Sequence, residues 1–215
     1  MIVPLPGKNS RDDRLYNTSG GKAAVKTADV KKIRKKMEKE LDAHRYEHTL
    51  GVAYTAACLA MVHGEDVQKA EIAGLLHDCA KCMSDEKRIS ICEKNNIPIS
   101  EAERANPGLL HAKVGAYLAE KEYDIQDEEV LLAIQSHTTG RPGMSALEKI
   151  IYIADFIEPG RKQDPNLPRI RKAAFEEIDK ALLMILKDTL FYLKSIDSVV
   201  DPMTQETYDF YYGGR

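Results

Sequence analysis

Apolar positions fall into helical registers along most of the chain. From Val30 they recur at Ile33, Met37 and Leu41, with lysines and glutamates between, and predict an amphipathic helix ending near Asp42. A second helix is predicted from Arg45 to His63. There Leu50, Val52, Ala53, Ala56, Ala57, Leu59, Ala60 and Met61 make a broad apolar surface that Gly64 closes. A third is predicted from Val67 to Cys82, its run Ile72-Ala73-Gly74-Leu75-Leu76 leading into His77-Asp78. Ser84 caps a fourth that ends around Asn95, and Ser100 with Glu103 forms a capping box for a short turn. Further helices are expected over Leu110–Lys121 and Gln126–Ser136. Another starts at Ser145 with Glu148 as its box partner and runs to about Asp155, where Pro159-Gly160 stops it. Thr138 to Gly143 reads as a loop, Pro165 and Pro168 as a connection, Phe175 to Ser195 as one long helix, and the C-terminus as irregular. No alternating strand and no internal repeat is found, so the expected fold is all-α, a helical bundle.

Residues 1–27 mix Gly, Pro, Ser, Asn and charges without a period and are expected to form a loosely ordered leader to one domain over residues 28–215. That N-terminus has neither a secretory h-region nor a transit-peptide pattern, and no apolar run is long enough for a bilayer, so a cytoplasmic address and no membrane partner are expected. The net charge of -3 gives no global attraction to nucleic acid. Lys31, Lys32, Arg34, Lys35 and Lys36 are followed at once by Glu38, Glu40 and Asp42, the composition of a solvated helix face. Cys79 and Cys82 match CxxC, but no second such pair exists, and the four cysteines read as packed thiols.

The candidate chemistry lies in the histidines. His77-Asp78 is an adjacent pair, and neighbours on a helix diverge by about 100°, so both reach one ion only near a bend or an end. Partners must come from other helices, and His48 and Asp155 each stand at the edge of an apolar stretch. Two imidazoles and two carboxylates, with no thiolate, suit iron, manganese, cobalt, nickel or zinc. His44 and His63 fall outside the pattern. Tyr208, Phe210, Tyr211 and Tyr212 are open between stacking on a base and anchoring the tail.

The order His48, His77-Asp78, His111, His137, Asp155 resembles the HD phosphohydrolase superfamily. The stretches RYEHTLGVA, LLHDCAK and SHTTGRPGMSALEKIIYIADFIEPGR are similar to its YqeK-type branch over about residues 30–212. That resemblance implies symmetrical hydrolysis of diadenosine tetraphosphate to two ADP, usually with iron. By position it makes His48, His77, Asp78 and Asp155 the primary metal ligands and places His111 and His137 at a second metal or at the phosphates. It puts Arg45, Asp78, Lys81, Thr138 and Arg161 at the nucleotide, and the segment Ser198, Val199, Val200, Asp201, Pro202, Met203 around the nucleoside. Asp78 and Lys81 are the expected catalytic groups, Asp78 receiving a proton from the attacking water and Lys81 holding phosphate. Both arginines suit bidentate phosphate contact. A homodimer is left open. So are another HD-type activity, on nucleoside monophosphates, triphosphates, guanosine polyphosphates or cyclic dinucleotides, and a non-catalytic nucleotide-binding regulator.

Overall fold

The computed structural model describes residues 27–162 and 164–214; the expected leader, apart from Thr27, lies outside them. Among the described residues there are eleven α-helices, one short 3-10 helix and no strand. In chain order they are α1 (Thr27–Glu40), α2 (Ala43–His63), α3 (Val67–Leu76), α4 (Asp85–Lys94), α5 (Glu101–Ala105), the 3-10 turn Pro107–Leu110, α6 (His111–Glu122), α7 (Glu128–Ser136), α8 (Ala146–Ile157), α9 (Leu167–Glu176), α10 (Ile178–Ser195) and α11 (Pro202–Gly213). No described helix is long and apolar enough to cross a membrane.

The bundle centres on α2, α3 and α8, whose apolar faces supply much of the buried core. Val30, Ile33, Met37 and Leu41 add the predicted stripe of α1 to it. The basic positions of that helix stay outside: Arg34 lies over the Tyr54 ring, and Lys36 pairs with Glu40 and Glu122. Close approach of α2 to α3 depends on Gly74, where a Cβ would fall 2.7 Å from the Ala53 Cα. This contact brings His48 on α2 and His77 at the end of α3 to a ring-centroid separation of 5.4 Å.

Caps fix several helix starts where the sequence places them. Ser84 accepts from the Lys87 N–H, and the boxes Ser100/Glu103 and Ser145/Glu148 are both complete. Three predicted elements differ. The third helix does not run to Cys82: it ends at Leu76 and passes into tight turns over residues 77–82, held by N–H bonds from Cys79, Lys81 and Met83 to carbonyls three residues back. The long C-terminal helix is interrupted at Glu177, whose φ of -143° is extended, and α9 begins earlier because Pro168 sits in its first turn, where a missing N–H is harmless. The C-terminus is helical rather than irregular, since Asp201 caps α11 through the Met203 N–H and Pro202 occupies its first position.

The four cysteines are free. Cys79 and Cys92 are buried, as packed thiols should be, but Cys58 and Cys82 are exposed, each on the solvent side of its segment. Within the CxxC, Cys79 donates to the Gly115 carbonyl and Cys82 to Asp42, so the two thiols have separate partners.

Candidate active site

The end of α3 shows why an adjacent His-Asp pair can converge. Helical hydrogen bonding stops at Leu76 and the chain tightens, so His77 and Asp78 both turn into one buried site. His48 enters it from α2, His111 from the first position of α6, His137 from the C-terminal cap of α7, and Asp155 from the last turns of α8. All four histidines are buried.

Each imidazole is oriented by its Nδ1. His77, His111 and His137 donate to the carbonyls of Gly74 (2.7 Å), Gly108 (2.5 Å) and Ile134 (2.7 Å), in each case three residues back. A carbonyl only accepts, so Nδ1 carries the proton and Nε2 presents its lone pair to the pocket. His48 reaches the same arrangement differently, its Nδ1 donating to Glu158 Oε1 at 3.2 Å.

Two groups of ligand atoms result: His48, His77 and Asp155; and His77, Asp78 and His137. His48 Nε2 lies 3.0 Å from Asp155 Oδ1, and His77 Nε2 lies 3.5 Å from Asp78 Oδ2 and 4.0 Å from Asp155 Oδ1. Yet neither Nε2 makes a hydrogen bond, although both are buried. An unsatisfied buried polar atom costs roughly 1–3 kcal/mol, and two such lone pairs aimed beside carboxylate oxygens fit a divalent cation. His111 stands beside the second group: its Nε2 lies 3.1 Å from His137 Nε2, two lone pairs face to face, and 3.2 Å from Asp78 Oδ1.

Burial dominates the electrostatics of His77 and lowers its pKa to about 4, so it is neutral and ligand-ready at neutral pH. Burial also acts against protonation of His48, but the Asp155 and Glu158 carboxylates outweigh it and raise its pKa. Burial opposes ionisation of Asp78 and Asp155 as well. The imidazoles win in both cases: His77, His111 and His137 hold Asp78 well below the usual carboxylate range, and His48, His77 and His137 do the same for Asp155.

Cations rim the acids. Arg45 Nη1 is 2.8 Å from Asp78 Oδ2 and Arg161 Nη2 is 2.8 Å from Asp155 Oδ1. Lys81 Nζ stands 3.3 Å from His111 Nε2, and burial lowers its pKa. Thr138 Oγ1 lies 3.3 Å and 3.2 Å from the Nε2 atoms of His111 and His137. Arg45, Asp78, Lys81, His111, His137, Thr138, Asp155 and Arg161 line a single pocket, and Tyr152, Phe156, Ile185 and Thr189 form its other wall. Ser198 to Met203, in the turn after α10 and the start of α11, are not among the residues that line this pocket. His44 is exposed and His63 bonds the Ala174 carbonyl, so neither enters. Of the aromatic tail, Tyr208 and Tyr211 pack on the core while Phe210 and Tyr212 are exposed.

Sequence reasoning missed the apolar wall and two buried acids. Glu158 sits behind His48, and Glu148 behind the 137–143 loop, where it takes Arg141 Nε and Nη2 at 2.6 Å each, the Ser136 hydroxyl and the Ser145 N–H. The capping box named Glu148 but not its second duty. For Glu158 the signal was only its place after the helix that carries Asp155.

Fold and site together define a class, the all-α metal-dependent hydrolases, and the chain belongs to the HD domain family, whose model matches residues 45–160. Within it, the chain is 43% identical over 178 residues to a symmetrical bis(5'-nucleosyl)-tetraphosphatase of Bacillus subtilis, covering 83% of this chain and 95% of that protein. It is 44% identical over 172 residues to the protein of the same name from Halalkalibacterium halodurans, covering 79% and 89%. A crystal structure from Clostridium acetobutylicum, described as a predicted HD superfamily hydrolase involved in NAD metabolism, superposes with a TM-score of 0.83 at 44% identity. That match covers 86% of this chain and 97% of the other.

Proposed function

We propose that the protein hydrolyses diadenosine tetraphosphate symmetrically to two molecules of ADP, with His48, His77, Asp78 and Asp155 as primary metal ligands and iron as the metal. The observation that carries this reading is the adjacency of two sets of groups: the buried, unsatisfied Nε2 atoms of His48 and His77 beside Asp78 and Asp155, and the pocket that those two acids line together with Arg45, Lys81 and Arg161. Relatives covering most of the chain carry the name of that activity.

A bound divalent ion supplies charge neutralisation at phosphate and an acidified water. The chain's own groups do the rest. Arg45 and Arg161 stand on either side of the acids and hold successive phosphates, bidentate contact fixing the polyphosphate in line for attack. Lys81, without a carboxylate of its own, draws phosphate oxygen toward His111 and His137. Thr138 donates to the same oxygen. Asp78, ionised throughout the neutral range, accepts the water's proton on Oδ1 and passes it to His111 Nε2, 3.2 Å away. Attack next to the central bridging oxygen makes both products ADP. Tyr152, Phe156, Ile185 and Thr189 close the pocket on the side away from the charges and limit water there.

Product chromatography after incubation of anaerobically purified protein with diadenosine tetraphosphate is expected to show ADP alone, with iron as the metal found by elemental analysis. AMP plus ATP would overturn the symmetrical assignment. Faster initial rates on nucleoside monophosphates, triphosphates or guanosine polyphosphates would replace the substrate.

A further inference from the structure

We infer that Glu158 is a positioning residue for the metal site, and that Gly51 and Gly160 are glycines because its carboxylate occupies the space their side chains would take. The inference rests on His48 being a metal ligand. Glu158 is 4% exposed although it follows the end of α8, where a carboxylate would ordinarily turn to water. Its Oε1 accepts from His48 Nδ1, and its Oε2 accepts from the Gly160 N–H at 2.5 Å. The backbone beneath it is held from α9, since Arg171 donates to the carbonyls of Ile157, Glu158 and Arg161.

The surroundings are cleared for this carboxylate. A Cβ on Gly51 would stand 2.7 Å from Glu158 Oε2, and one on Gly160 would stand 2.9 Å from both carboxylate oxygens. Gly51 lies deep inside the 21-residue α2, a position where glycine weakens a helix. Its helical neighbourhood gives no other reason for it.

Among the four pocket histidines only His48 is oriented by a carboxylate, the others donating to carbonyls of their own segments. A carboxylate behind a ligand imidazole fixes its tautomer and rotation and raises its basicity toward a cation. His48 has no carbonyl three residues back in reach of this role, because it sits within a continuing helix whose carbonyls are already bonded. Glu158 takes that place from another element.

The test is Mn²⁺ binding to metal-free protein by competition with a fluorescent chelator. Wild type, Glu158→Gln, Gly51→Ala, His48→Ala and the Glu158→Gln/His48→Ala double variant are compared. Removal of an outer partner typically weakens metal binding by about 10- to 100-fold, and Glu158→Gln is expected near the lower end. Gly51→Ala, which favours the helix, is expected to weaken binding in the same direction while leaving the metal-free fold intact by circular dichroism. In the His48→Ala background the Glu158→Gln penalty should shrink to about twofold or less, since coupled partners are not additive. An unchanged Mn²⁺ affinity in Glu158→Gln, or the same penalty with and without His48, overturns the inference and leaves the proposed activity standing. No Mn²⁺ binding by wild type overturns the metal-site reading and this inference with it.

Discussion

At the scale of single residues, the pocket histidines do opposite things to stability. His77 is held neutral, its pKa near 4 against an ordinary 6.5. Between those values the unfolded chain binds a proton that the folded chain refuses. Metal-free stability therefore falls as pH drops through that window, by up to about 3 kcal/mol from this group alone. His48, with a raised pKa, has the reverse sign: its contribution is complete below its unfolded value and is lost as pH rises through its folded one. Urea melts of metal-free protein at pH 7 and pH 5 should show the His77 slope, and His77→Gln should flatten it. Equal slopes in wild type and variant would show that His77 is not the group responsible.

At the scale of elements, the 137–143 loop is fixed from two directions. Glu148 grips Arg141 and Ser136 from α8, and Thr207 of α11 presses on Gly140 from outside. Gly140 has a φ of +67° and a Cβ there would meet Thr207 Cγ2 at 2.7 Å, whereas Gly143, with a φ of +70°, has open space. Gly140→Ala should therefore cost about 2–3 kcal/mol and Gly143→Ala about 1, the shared part being backbone strain. Chemical denaturation of both variants checks the ranking. A smaller loss in Gly140→Ala would mean that α11 yields easily.

The same elements show what could be read from the sequence and what could not. A helix bounded by a Ser cap and filled with aliphatic residues, such as α8, was legible because both signals are local. The face that α11 turns inward is Thr204, Thr207, Tyr208 and Tyr211, with no aliphatic period to see, so only Asp201-Pro202 announced a helix. The break at Glu177 contains neither glycine nor proline and had no local sign. His48, His77-Asp78 and Asp155 could be singled out by order and setting. Glu158 could not, because its role depends on Gly51, 107 positions earlier in the chain.

At the scale of the whole molecule, the candidate ligands come from α2, the turn after α3, α7 and α8, with His111 of α6 beside them. A cation held there ties together elements distant in sequence, and ligand binding stabilises the folded state by mass action. At a free metal concentration of about 100 times Kd the gain is about 2.7 kcal/mol, which for a chain of this size is about 5–10 °C in Tm. Chelation should lower Tm by that amount and readdition should restore it, as scanning calorimetry would show. A Tm indifferent to chelator would mean that no metal bridges these helices.

The ion pairs Arg45–Asp78 and Arg161–Asp155 have a consequence for the order of events. Before any cation arrives, each acid is already matched by a guanidinium, and among the described residues Lys81 is left as the one cation of the pocket free to attract an incoming polyanion. Arrival of a divalent ion between the acids leaves the guanidiniums as surplus positive charge at the rim. Loading the site thus raises the surplus positive charge from Lys81 alone to all three cations, so that cation first and polyphosphate second is the sequence its electrostatics favour.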